Sequence, residues 1–405
     1  MSDNLYMTAE EAAEALGVSV ATLYAYVRRK NIRTQKIGGS RTSRYWREDV
    51  ERARQRGSSG HQTGDGSLVT ETAITAITDA GPYYRGQSAI DLSQTHTLEA
   101  VAALLWRTSR ERVFTPLPPK PPKRLAALWP LYAEATAIDA ACAAFPLIER
   151  DNPKSYDLSP EGYTRTAADL MRWFAAIMVG REAPSAEPMH DTMASRSEDP
   201  AVFSDLARRL LVLSADNELD PTTYAVRAVA NTGATPYRTV MAGFAASLGR
   251  RTAYGRVETL GRLLDDICTS SRPKDIVMAL LRDGEALPGF GGSQRYPHGD
   301  PRAQALLDAM NASLGDDPEL ARLNAAIAVM AEAMGQPPEF SLINLFLGRR
   351  LRLHRQNGIA LRLGRIAGWV AHAMEQYEGK PLVRPRAAYV GLLPAERPPE
   401  TAQSG

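Results

Sequence analysis

Apolar positions along this chain recur mainly at three- and four-residue spacing, the interval that lines one face of an α-helix. In the first such run Thr8 and Glu11 form a capping-box signature, Ala12 and Leu16 share a face, and Gly17 stops the helix. Ser19 caps a second helix over about 20–29, and Ala12, Leu16, Val18, Leu23 and Val27 are the expected core of the pair. The pattern changes at 37–50, Ile-Gly-Gly-Ser-Arg-Thr-Ser-Arg-Tyr-Trp-Arg-Glu-Asp-Val, which reads as a hairpin followed by another helix start. Residues 58–66 are Gly/Ser-rich and are expected to form a flexible linker. A Thr/Ile alternation in the seventies predicts a short extended element, and 97–106 predicts a helix. Amphipathic runs then follow at roughly 124–147, 161–179, 201–215, 220–248, 254–269, 302–314 and 317–334. The proline cluster at 116–122 fits neither a helix nor a central strand and is expected as a stiff surface loop. The expected fold class is all-α.

Composition narrows the class. An apolar share of 44% and a charged share of 23% over 405 residues are those of an ordinary globular chain of two or three domains. No apolar run reaches the ~18 residues of a membrane span, and the polar N-terminus has no signal-peptide core. A cytoplasmic location without membrane contact is expected. Cys142 and Cys268 sit in apolar helical contexts and are expected as core residues, not as a disulfide or a metal site. The net charge of +2 is uneven: residues 1–57 hold 11 Lys+Arg against 7 Asp+Glu, the remainder 37 against 39. A basic head on a near-neutral body points to a polyanion as partner of the head alone.

Helix, turn, helix and basic hairpin, in that order, resemble the MerR/excisionase-type winged helix-turn-helix domains over residues 5–56. That resemblance implies a DNA-binding domain at 1–57, with the second helix in the major groove. Thr22, Tyr24, Ala25, Arg28 and Arg29 would then face DNA from the helix, and Ser40, Arg41, Ser43 and Arg44 from the wing. The plainer alternative is a small protein–protein module whose arginines form a solvated face.

The most informative stretch is 364–386. A helix opened by Arg365 carries small residues at Gly364, Ala367, Gly368 and Ala371, and a proline-bounded tail presents Arg384. Guanidinium forks match carboxylates bidentately, so two of them beside packed helices point to a small di- or tricarboxylate. The stretch resembles the C-terminal signature of citrate synthases, and Tyr84-Arg85-Gly86 followed by Ile90-Asp91-Leu92 resembles the entry motif of that family. The resemblance covers about 67–395. It implies a large helical domain and a smaller one at roughly 215–335, with the site in the cleft between them, and leaves 396–405 as a disordered tail. It further implies a homodimer, with Arg384 acting across the interface, or a heterodimer with a paralogue. No permanently bound cofactor is implied; acetyl-CoA or another acyl-CoA would be a ligand.

In that family a carboxylate deprotonates the acetyl methyl, one histidine stabilises the enol, a second polarises the oxaloacetate carbonyl, and a third helps to bind oxaloacetate. The corresponding positions differ here. Ser214-Ala-Asp-Asn217-Glu-Leu places Asn217 at the binding histidine, and asparagine is not protonated near neutrality. The enol histidine falls at Ala253 or Tyr254. Leu287-Pro-Gly-Phe-Gly-Gly-Ser293 places Ser293, or Gly292, at the polarising histidine, with His298 five residues on from Ser293 and expected as a solvated turn residue. The base falls at Glu339, one methylene longer than aspartate; it is otherwise a solvated loop glutamate. Arg302, Arg365 and Arg384 keep the positions of the carboxylate-binding arginines. His372 is expected to pack or to make a structural bond, while His96, His190 and His354 have no motif around them.

Two principal readings follow. A regulator would bind oxaloacetate, citrate or an acyl-CoA on a site with degenerate catalytic positions and couple occupancy to DNA binding. A divergent citrate or 2-methylcitrate synthase would still condense acyl-CoA with oxaloacetate. A third reading is a non-catalytic partner of an active paralogue. General acid–base groups are each worth ~100- to 10,000-fold, so the loss of three histidines favours binding over turnover.

Overall fold

The computed structural model describes residues 6–29, 32–36, 43–47, 49–50, 53, 71–249, 254–284, 287–293, 295–353 and 360–378. The chain forms two compact units, one within Met1–Glu71 and one spanning Thr72–Val383.

In the first unit the capping box is present. The Thr8 hydroxyl accepts the Glu11 N–H, and the Glu11 carboxylate accepts the Thr8 N–H at 2.9 Å, opening α1 (Ala9–Leu16). Gly17 takes φ +66° and closes it, a conformation that glycine adopts without a Cβ penalty. Helix α2 covers Val20–Arg29. Strand β1 (Tyr6–Met7) and strand β2 (Thr34–Lys36) both pair antiparallel with β3 (Ser43–Trp46). Met7, Ala12, Leu23, Ile32, Tyr45 and Val50 form the core, with Leu16, Val18 and Val27 half-buried against it. Asp49 ties the outer strand down by accepting both the backbone N–H and the guanidinium of Arg33. The expected linker at 58–66 and tail at 396–405 lie outside the described residues.

The second unit opens with a small antiparallel sheet, β4 (Thr75–Thr78), β5 (Gly81–Tyr84) and β6 (Gln87–Ser88). Arg85 (φ +49°) and Gly86 (φ +83°) form the two-residue turn between β5 and β6; positive φ at both central positions is the type I′ geometry that matches strand twist. The Arg85 guanidinium donates to the Leu105 carbonyl at 2.8 Å and to the Ala73 carbonyl at 2.9 Å, while the buried Tyr84 hydroxyl lies 3.1 Å from the Val212 carbonyl. The Tyr-Arg-Gly motif is thus a structural knot.

Helices make up the rest. They are α3 (Ala89–Thr95), α4 (Leu98–Trp106), α5 (Arg110–Val113), α6 (Ala137–Asp151), α7 (Pro160–Met178), α8 (Met189–Ala194) and α9 (Pro200–Leu213). Then follow α10 (Pro221–Ala230), α11 (Pro236–Ser247), α12 (Tyr254–Thr269), α13 (Pro273–Arg282), α14 (Pro301–Ser313), α15 (Pro318–Met334), α16 (Phe340–Arg350) and α17 (Ala360–Tyr377). Helices α7, α9 and α17 are buried along most of their length. Phe174 of α7, Phe244 of α11 and Trp369 of α17 meet in this core, with Phe244 4.6 Å from Phe174 and 5.7 Å from Trp369 between ring centroids.

Three expectations need correction. The run at 220–248 is two helices, because Gly233 turns left-handed at φ +83° and Pro236 cannot donate a helical N–H. The run at 124–147 begins as two 3₁₀ turns, Lys123–Ala127 and Trp129–Tyr132, with Pro130 interrupting the ladder, and becomes α-helical only at Ala137. Arg365 does not open its helix; α17 starts at Ala360. Among the described residues no helix is long and apolar enough to cross a membrane.

Candidate functional site

Helix α17 approaches the segment leaving α9 at glycine distance. A methyl group at Gly364 would lie 2.6 Å from the Leu211 carbonyl oxygen, and one at Gly368 would lie 2.2 Å from Asp216 Oδ1. This approach seats Arg365 on two carboxylates. Its Nη1 is 3.2 Å from Asp216 Oδ1, and its Nη2 is 2.9 Å from both Asp220 Oδ2 and Thr223 Oγ1. Asp220 also caps α10 by accepting the Thr223 N–H at 2.8 Å.

Behind Arg365 runs a buried row of polar groups. Arg227 Nη1 stands 3.1 Å from His372 Nδ1, and His372 Nε2 stands 3.3 Å from Asp216 Oδ2. A guanidinium only donates, so Nδ1 accepts and Nε2 carries the proton offered to Asp216. Arg227 continues to Glu375 at 2.7 Å, and Glu375 accepts the Ala73 N–H at 2.8 Å. Burial by itself would raise the Asp216 carboxyl, but His372 and Arg365 more than reverse this and hold it well below the usual carboxylate range.

The facing wall is the turn before α14 and the start of α16. Gly291 donates to the Pro337 carbonyl at 2.8 Å and Glu339 donates its N–H to the Gly289 carbonyl at 2.7 Å, which aligns the segment around Ser293 with the N-cap of α16. The Ser293 hydroxyl accepts the Tyr296 N–H at 3.1 Å, and the Ser341 hydroxyl donates to Glu339 at 3.0 Å. Arg302 gives its Nε and Nη2 edge to Asp300, with contacts of 3.0 and 2.7 Å, and lies 4.7 Å from the Phe340 ring centroid. Burial would lower Arg302, yet Asp300 keeps it above the ordinary arginine value.

Between the walls is a cavity of about 640 Å³. Five of the seven residues expected at the carboxylate and catalytic positions line it: Asn217, Ser293, Arg302, Glu339 and Arg365. Tyr254 begins α12, but its side chain lies outside the described residues, as does Arg384. His298 is an exposed turn residue that does not line the cavity, and His372 makes the structural contacts expected of it. Glu339 is half-buried in the cavity wall, not a solvated loop glutamate. The two arginines differ from expectation in one respect: each is already paired with a carboxylate of this chain.

The sequence reading did not single out Arg362, Arg295, Asp220 or Trp369, all of which line the cavity. Arg362 lies three residues before Arg365 and so shares its helix face, a spacing visible in the sequence. In the head, Tyr24 is 60% exposed, while Thr22 is exposed with its hydroxyl 2.8 Å from that of Ser19. Arg44 is half-buried on β3; Arg28 and Arg29 belong to α2 with side chains outside the described residues, and Arg41 lies outside them altogether.

Residues 64–386 match the family model for the citrate synthase C-terminal domain, and residues 6–58 match a helix-turn-helix domain. The chain is 24% identical to citrate synthase 2 of Bacillus subtilis over 356 residues, 81% of this chain and 95% of that one. It is 28% identical to the 2-methylcitrate synthase of Shewanella oneidensis over 194 residues, 45% of this chain and 50% of the relative. The citrate synthase of Thermoplasma acidophilum, solved as a ternary complex with carboxymethyl coenzyme A and oxaloacetate, superposes with a TM-score of 0.65 at 19% identity. That superposition covers 83% of this chain and 97% of the other.

Proposed function

The chain belongs to the citrate synthase family, and on that premise we propose a carboxylate-binding regulator with weak or no condensing activity. The body takes a small carboxylate of the oxaloacetate or citrate type, with an acyl-CoA as second ligand, and ligand occupancy alters DNA binding by the helix-turn-helix head. One observation carries this reading. Asn217, Ser293, Arg302, Glu339 and Arg365 converge on a single cavity, while no histidine is among the described residues that line it. Such a cavity can bind an anion, but its asparagine and serine cannot exchange a proton near neutrality as an imidazole does.

The ternary complex of the Thermoplasma enzyme supports oxaloacetate and a coenzyme A thioester as the ligand pair to test. In a dimer, with Arg384 reaching the neighbouring site, a ligand that prefers one arrangement of the body would shift the population of two paired heads. On this reading the protein acts in the cytoplasm, beside DNA.

A second reading, a divergent citrate or 2-methylcitrate synthase, is favoured by the Glu339 carboxylate in the cavity wall, where it could act as the base. Calorimetric titration with oxaloacetate and citrate, followed by thiol release from acetyl-CoA, separates the two. Binding without release is the expected result; turnover at an ordinary enzymatic rate would establish the synthase. Retention on DNA, compared with and without ligand, then tests the coupling.

A further inference from the structure

Arg295 crosses the cavity. It sits on a tight turn closed by reciprocal backbone bonds, the Ser293 N–H donating to the Tyr296 carbonyl at 3.0 Å and the Tyr296 N–H to the Ser293 carbonyl at 3.2 Å. Tyr296 anchors this turn, with its ring buried 5.5 Å from the Arg302 guanidinium. From the turn the Arg295 side chain reaches the opposite wall. There its Nη1 donates to the Asn217 carbonyl, and its Nη2 lies 3.6 Å from Glu218 Oε2. The acceptor itself is held in place. The next N–H, of Glu218, donates to the buried Asp216 carboxylate at 3.0 Å, and the Glu218 carbonyl accepts the Asp220 N–H at 3.1 Å.

The two ends of the guanidinium are not equally committed. The Glu218 contact is longer than the ~2.7–2.9 Å of a charge-assisted hydrogen bond. It also leaves 30% of the Arg295 side chain and 41% of the Glu218 side chain exposed, so solvent screens the pair. Arg302 and Arg365, in contrast, are fixed by buried carboxylates and present set positions to a ligand. We propose that Arg295 is a further ligand-binding residue, which joins the two walls over a bound carboxylate. Its Nη1 stays on the Asn217 carbonyl while its Nη2 exchanges Glu218 for an oxygen of the ligand. A guanidinium has five N–H donors in a planar fork, so both bonds can be made at once. Glu218 is then a competitor that the ligand displaces.

The inference rests on the carboxylate-binding reading, and one titration series tells the two apart. Oxaloacetate is titrated calorimetrically into the full-length protein, into Arg295→Met, into Glu218→Gln and into the double variant. The wild type should bind, and Arg295→Met should lose about 10-fold or more, as for a charged hydrogen bond. Glu218→Gln should gain about 2- to 5-fold, the scale of an exposed ion pair, and this gain should vanish when Arg295→Met is also present. Unchanged affinity in Arg295→Met overturns the ligand contact and leaves carboxylate binding intact. A gain from Glu218→Gln that persists without Arg295 reduces Glu218 to a repulsive charge and overturns the exchange. Absence of binding to the wild type overturns both the inference and the reading beneath it. Should Arg295→Met not fold, unchanged affinity in Arg295→Lys, which keeps the charge but loses the planar fork, overturns the two-ended contact.

Discussion

Gly368 and Asp216 stand so close that the α-carbon of one has no room for a methyl group beside the carboxylate of the other: a Cβ would come within 2.2 Å of Oδ1. Gly368→Ala must therefore move either helix α17 or the buried charge row. Overpacking of this kind costs about 1–3 kcal/mol. Gly261, in α12, has nothing within 4 Å of a built Cβ. Gly261→Ala should instead stabilise by up to about 1 kcal/mol through helix propensity. Urea midpoints of the two variants should move in opposite directions; a common direction would refute the close-approach argument.

Arg365 is a structural strut before it is anything else. Arg365→Gln strands Asp216 and Asp220 in a buried setting, a loss of about 3–5 kcal/mol for a broken buried pair. The exposed pair of Arg272 and Asp275 is the control, and Arg272→Gln should stay within about 0.5 kcal/mol of wild type. Chemical denaturation of both variants checks the contrast. A ligand-binding defect in Arg365→Gln is informative only after its folding has been measured.

Two carboxyls make opposite contributions to pH dependence. Asp216 is depressed in the folded state, so the unfolded chain binds more protons; its stabilisation is present above pH ~4 and is lost as pH falls further. Asp169 is pushed up to about 6, chiefly by burial, against the pull of Arg172, Arg165 and Lys154. The folded state then holds the extra proton, and stability declines as pH rises from ~4 through the folded value. Asp169→Asn should flatten that decline and gain on wild type between pH 5 and 7, on the order of the shifted window. An identical slope in both proteins would remove Asp169 as its cause.

Both thiols should be slow. Burial pushes Cys142 up to about 11 and Cys268 up to about 12, so little thiolate exists at neutral pH. Labelling with a disulfide reagent should proceed slowly in the native state and reach two thiols per chain in denaturant. Rapid native labelling of either residue would contradict its burial. The slow case also keeps the thiol-release assay clear of background.

In the head, Leu23 is fully buried and Tyr24 is 60% exposed, although they are adjacent. Leu23→Ala should cost about 2–5 kcal/mol as a cavity mutation, while Tyr24→Ala should leave the fold intact and weaken retention on DNA. Loss of helical signal from Tyr24→Ala would reassign that tyrosine to the core.

Much of this could be read from the sequence where the interactions are local. The capping box of Thr8 and Glu11, the stop at Gly17 and the bounds of α2 follow from residues within a turn of one another. Periodicity failed at Pro130 and Pro236, since a helical pattern can persist across a break in the ladder. Asn217, Ser293, Arg302, Glu339 and Arg365 converge on one cavity, but their neighbours were less visible. Asp300 lies two residues from Arg302 and was within reach of the sequence; Asp216 lies 149 residues from Arg365, and only packing of α17 on α9 joins them.

Ala73 is held at both polar groups of its backbone, the N–H by Glu375 and the C=O by Arg85. The body therefore starts at a pinned point and not at a slack lead-in. From Glu375 a continuous train of contacts through Arg227, His372 and Asp216 ends on Arg365 in the cavity wall. Release of Ala73 and filling of the cavity thus act on opposite ends of one continuous row of polar contacts.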